Sequence, residues 1–134
     1  MLKKILIVGL ALIACFGAVN MASAKPGKTF DTNVTLRADE TGPSDYTEGF
    51  RGRVSSRKDR CEAGRVVRII KQGDGEVGRT RSNQQGQYAV AFGGEDEYAE
   101  NGRYFARVSP KFLNKSGNTR LCKVGKSQTV TVRN

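Results

Sequence analysis

From residue 25 to residue 134 no stretch of this chain repeats its apolar side chains every 3.6 residues. Apolar and polar residues alternate instead, over short runs closed by glycine, asparagine, aspartate or proline. A period of two places successive side chains on opposite faces of a β-strand, so the pattern predicts short strands joined by turns and argues against a helical bundle. Candidate strands cover about 31–37, 50–54, 66–70, 77–82, 87–92, 103–109 and 127–133. The run Val66-Val67-Arg68-Ile69-Ile70 is the most β-branched. Gly73-Asp74-Gly75 has the composition of a hairpin turn. Asn83-Gln84-Gln85-Gly86 is expected to close a second hairpin, because asparagine bonds its own backbone and Gly86 accepts a positive φ. Residues 39–48 read as a polar loop, 93–102 as an acidic loop and 110–125 as a long basic loop.

Seven strands and sixteen glycines in a chain of this length predict one all-β sandwich. Its expected core is Val34, Leu36, Phe50, Val54, Val67, Ile69, Tyr88, Val90, Phe92, Tyr104, Val108, Val130 and Val132.

The first 24 residues have the form of an export signal. Lys3 and Lys4 precede an apolar run over residues 5–19, and Ala22-Ser23-Ala24 is an A-x-A site, with Ala22 and Ala24 as its small residues, that predicts cleavage after Ala24 and a mature chain beginning at Lys25. The run is short for a membrane span, so no transmembrane segment is expected after processing. Leu12-Ile13-Ala14-Cys15 offers a rival, lipidation of Cys15, although the apolar run continues past that cysteine. Residues 25–29 read as a flexible tail and 30–134 as the sandwich domain. Two cysteines then remain, Cys61 and Cys122, and an even pair in an exported chain predicts one disulfide.

Catalysis finds little support in the residue types. The chain has no histidine, and its serines have no visible base partner. The expectation is a protein that is not an enzyme and needs no cofactor. A small hydrolase with an unrecognised carboxylate site is the alternative. Glu95, Asp96 and Glu97, with Glu100 nearby, form the one acidic cluster, a weak candidate for metal binding. They lack the spacing of a calcium loop, and a solvated loop explains them as well.

Without Lys3 and Lys4 the chain carries 21 basic and 13 acidic residues, unevenly placed. Residues 25–48 hold three basic and five acidic side chains; residues 49–82 hold ten and four. Residues 83–101 hold none and four, and residues 102–134 hold eight and none. The strand patterns turn Arg51, Arg53, Arg68, Arg103 and Arg107 outward. If their strands were neighbours, these arginines would form one patch attractive to an anionic envelope polymer. Outward charge also keeps a sandwich soluble and its edges unpaired. Nucleic acid is not an expected partner of an exported protein; Phe105 among the arginines is thin support for base stacking.

The pattern Gly52-x-Val54, then Cys61-Glu62-Ala63-Gly64-Arg65-Val66-Val67-x-Ile69, then Val77-Gly78-x-Thr80-x-Ser82-Asn83-x-x-Gly86-x-Tyr88-x-Val90 resembles carboxypeptidase regulatory-like and transthyretin-like domains. Gly102-Arg103-Tyr104-Phe105-Ala106-Arg107-Val108, followed by Cys122 and a final strand, is similar to small exported bacterial variants of that group. Asn83 stands where the family often has aspartate, which serves the same turn. The resemblance implies an antiparallel, Ig-like or prealbumin-like sandwich of about seven strands, with no catalytic residues. Its larger members carry such domains as accessory modules. The resulting expectation is a secreted, non-enzymatic binding or structural module of the bacterial cell exterior. A cationic protein that binds envelope polyanions or a partner protein is the closest alternative.

Overall fold

The computed structural model describes residues 27–40, 46–92, 98–115 and 118–134, the side chains of 115 and 118 excepted. The export signal with Cys15, Ala22 and Ala24, and the acidic residues Glu95, Asp96 and Glu97, lie outside them. The described chain is all-β, with twelve short strands and one turn of 3-10 helix, Asp59–Cys61. The strands are β1 Thr29–Phe30, β2 Asn33–Val34, β3 Arg37–Asp39, β4 Gly49–Ser55, β5 Val66–Lys71 and β6 Gly75–Arg81. They continue with β7 Gln87–Ala91, β8 Gly102–Val108, β9 Lys111–Lys115, β10 Asn118–Cys122, β11 Gly125–Lys126 and β12 Val130–Val132.

Two sheets face each other across the main core. The first has the order β11-β8-β5-β6, with β12 also on β8. In the second, β2 and β3 lie along one edge of β4 and β7 along the other. Phe50, Val54 and Tyr88 from the second sheet pack with Val67, Ile69, Tyr104, Ala106, Val108 and Val132 from the first. Val34, Leu36, Val90 and Phe92 pack against this cluster from partly buried positions. Val130 is half-buried. The alternation therefore works strand by strand: even positions of β4 and β7, and odd positions of β5, carry the apolar side chains inward.

A third sheet, β1-β10-β9, was not legible as strands. β9 and β10 form a hairpin where a basic loop is expected. Its inward face holds Leu113 and Cys122, but Lys111 and Arg120 share that face by register, so the apolar period is hidden. β8–β9 and β10–β11 are in effect one long hairpin. Its ladder stops between the pairs Val108↔Gly125 and Lys111↔Cys122, where Pro110 has no N–H to donate. β1 runs parallel to β10, the one departure from an antiparallel arrangement among the described strands. Phe30, Cys61, Leu113 and Cys122 close a second small core there, and Cys61 is bonded to Cys122.

The turn at residues 83–86 differs from expectation in what it connects. Asn83 Oδ1 accepts from the backbone N–H of Gln85 (3.0 Å) and of Gln87 (2.9 Å). Gly86 has φ +79°, and a Cβ there would collide with the Val54 carbonyl. The turn chemistry is as anticipated, but there is no hairpin. β6 pairs with β5 and β7 pairs with β4, so the turn carries the chain from one sheet to the other. Gly73 and Gly75 do close a true hairpin, β5–β6, with φ of +90° and +96°.

Candidate anion-binding surfaces

The five arginines singled out from the sequence do not share a face. Arg68, Arg103 and Arg107 belong to the first sheet, Arg51 and Arg53 to the second. The condition for one patch of all five, that their strands be neighbours, is not met: β4 lies in the opposite sheet from β5 and β8.

The first sheet brings together cations that the linear pattern did not. Arg68 stands directly across from Arg79 on β6 and from Arg107 on β8. Arg107 in turn stands across from Lys126 on β11. Four cations thus form one row across four strands, spanning about 14 Å at the usual strand spacing of ~4.8 Å. Like charges directly opposite one another destabilise a sheet by some tenths of a kcal/mol per pair, up to about 1. Arg81 lies across from Val66 and Arg103 across from Thr131, on the same outward face. Arg103 and Arg133 flank a shallow depression at its lower end.

The row has one internal counter-charge. Glu76 accepts from Arg79 at both carboxylate oxygens (2.7 and 3.0 Å), which holds its own carboxyl below the ordinary glutamate value. Arg68 Nε lies 4.0 Å from the same carboxylate, and it has no hydrogen-bond partner. Arg107 and Lys126 have no ion pair among the described residues. The Lys126 ammonium sits 4.3 Å from the centre of the Phe105 ring, a cation–π contact that ties down one end of the row.

A different arginine is consumed by the fold. Arg65 is 1% exposed. Its guanidinium donates to Cys61 O (2.6 Å), Lys123 O (2.8 Å), Ser109 O (2.8 and 3.2 Å) and Thr32 Oγ1 (3.2 Å). Ser109 and Lys123 flank the break in the long hairpin, so Arg65 ties its two arms together there. No carboxylate is among its partners, and burial pushes its pKa down. Lys111 behaves similarly: its ammonium donates to Ala63 O (2.8 Å) and Arg60 O (3.1 Å), and burial, with Arg65 and Arg60 nearby, lowers its pKa.

On the second sheet Arg37, Arg51 and Arg53 line a groove of about 600 Å3 with Thr35, Leu36, Gly52, Asn83, Gln87, Tyr88 and Ala89. Arg51 is paired with Asp39. The Tyr88 hydroxyl donates to the Thr35 carbonyl, passing over Gly52, where a Cβ would strike both. Burial raises the Tyr88 pKa, so the hydroxyl stays a donor.

Among the described residues no group of three or more His, Cys, Asp or Glu side chains could hold a metal. No helix among them is long and apolar enough to cross a membrane. Comparison of the chain with protein-family models, curated proteins and solved structures finds no match in any of the three. Arg37, Arg79, Arg81 and Lys126 escaped the sequence reading. Their signal was parity within a strand, Arg79-Thr80-Arg81 above all, but parity acquires meaning only once strand neighbours are known.

Proposed function

We propose that the protein is an exported, non-enzymatic binding module whose ligand is an anionic polymer, held on the outer face of the first sheet. The observation that carries this reading is the row Arg79–Arg68–Arg107–Lys126, in which register sets like charges opposite each other. Such repulsion lowers stability, and a linear polyanion laid across the strands relieves it. Arginine suits the task, since its planar fork takes carboxylate or phosphate oxygens in pairs. The row crosses four strands over about 14 Å, which suits a repeating polymer better than a small substrate. The buried disulfide supports export to an oxidising compartment. The accessory-module role of carboxypeptidase regulatory-like domains is compatible with this reading.

Titration of the protein into polyphosphate and into a polyuronate, at low and at physiological salt, tests it. Binding is expected at low salt and should fall steeply as salt screens the face over ~8–10 Å. No binding at either salt concentration overturns the proposal. Equal binding to a neutral polysaccharide would do the same.

A further inference from the structure

We infer that the groove on the second sheet is a separate site for one small hydroxylated acid, a sugar ring bearing a single oxyanion. The register places its cations together. Arg37 is directly across β3–β4 from Arg51, and Arg53 follows two positions along β4, on the same outward side. Gln87 and Ala89 of β7 continue that side as the partners of Arg53 and Arg51. The groove's volume of about 600 Å3 falls within the ~300–1,000 Å3 usual for small-molecule sites.

The charges do not cancel within the groove. Asp39 is committed to Arg51. Neither Arg37 nor Arg53 has a carboxylate partner among the described residues. The Asp39–Arg51 pair shows that a carboxylate is accommodated here, and two further guanidiniums remain for a second oxyanion. The rest of the lining is of another kind. Ala89 supplies exposed apolar surface for the C–H face of a ring, with half-buried Leu36 and buried Tyr88, both packed into the core, forming the floor beneath it. Gln87 receives Asn83 Nδ2 at its Oε1 (3.1 Å), and its own amide nitrogen has no protein partner among the described residues, leaving a donor for a ring hydroxyl. A fixed acid-binding end, a small apolar wall and an amide donor match a sugar acid better than a bare ion. The backbone beneath is held in place: Arg53 N–H donates to Thr35 Oγ1 (2.9 Å) and Thr35 N–H to Arg53 O (2.9 Å).

This site lies on the opposite sheet from the cation row, so it stands or falls independently of the polymer reading. The test is chemical-shift mapping by NMR during titration with glucuronate, glucose 6-phosphate and, as control, glucose. Saturable shifts centred on Leu36, Arg53 and Ala89 are expected with an acid sugar. Whether the carboxylate or the phosphate binds more tightly identifies the source of the oxyanion. Arg37→Gln and Arg53→Gln should each weaken binding about tenfold, the loss expected of one charge-assisted contact. Arg68→Gln/Arg107→Gln should leave it unchanged. The inference is overturned if neither acid sugar shifts these residues, if glucose binds as well, or if both groove variants bind like the parent protein.

Discussion

Arg65 and Arg68 stand three residues apart and are put to opposite use. Arg65 is buried and donates to three backbone carbonyls and a hydroxyl at the end of the molecule closed by the Cys61–Cys122 disulfide. Arg68 lies on the open outer face between two other arginines, with its Nε unsatisfied. The parity of β5 separates their fates: Arg65 enters just before the strand on the side of Val67 and Ile69, whereas Arg68 falls between those two residues and faces out. Positive charge in this chain thus does two jobs. At the closed end it gives backbone carbonyls their donors, and on the open face it stands beside like charges.

The largest expected difference is in stability. Arg65→Met leaves the carbonyls of Cys61 and Ser109 without their donor and takes one of two donors from the Lys123 carbonyl, which keeps the Thr32 hydroxyl. At about 1–3 kcal/mol for each unsatisfied buried group, the loss should reach ~3–5 kcal/mol. Arg68→Met should remain within about 0.5 kcal/mol of the parent protein. Urea denaturation of the pair measures this, and equal losses would erase the distinction between the two regions.

The disulfide anchors the same closed end. It joins residues 61 apart in sequence, so Cys61→Ala/Cys122→Ala should cost about 4 kcal/mol on the chain-entropy account. Under one kcal/mol, by thermal or urea unfolding, would mean that Arg65 and the ladder hold this end alone. Gly86 borders it too, with a Cβ position close to the Val54 carbonyl and the Glu62 side chain. Gly86→Ala should cost ~1–3 kcal/mol from strain and crowding. Gly73→Ala, equally left-handed but with open space around it, should cost only about 1 kcal/mol. Matching melting points for the two variants would refute the crowding.

On the open face the effects are on binding. Glu76→Gln removes the row's internal counter-charge, and polyphosphate affinity at low salt should rise about twofold to fivefold, the scale of an exposed ion pair. An unchanged affinity would place the polymer away from β6.

The sandwich was legible because β4, β5, β7 and β8 each bury one parity of apolar residues. The hairpin of β9 and β10 was not, because Lys111 and Arg120 occupy inward positions that a hydrophobic pattern assigns to loops. Lys111 is tolerated there since its ammonium meets two carbonyls. Arg65 was invisible for the same reason: no local pattern announces that a charged side chain will meet carbonyls more than forty residues away, at Ser109 and Lys123. The cation row needed strand order. Arg68 and Arg107 were each recognised as outward, but their juxtaposition with Arg79 and Lys126 follows from pairing between strands distant in sequence.

The measurement closest to the central claim is a paired one on Arg68→Gln/Arg107→Gln. Its urea stability and its polyphosphate affinity at low salt are determined side by side with those of the parent protein. If the row serves a ligand, removing two mutually repelling charges leaves stability unchanged or raises it by up to about 1 kcal/mol. Affinity should then fall about tenfold or more, with a shallower salt dependence. A variant that loses stability by ~2 kcal/mol or more while binding polyphosphate as before would show that these arginines support the fold and that the face is not the binding surface.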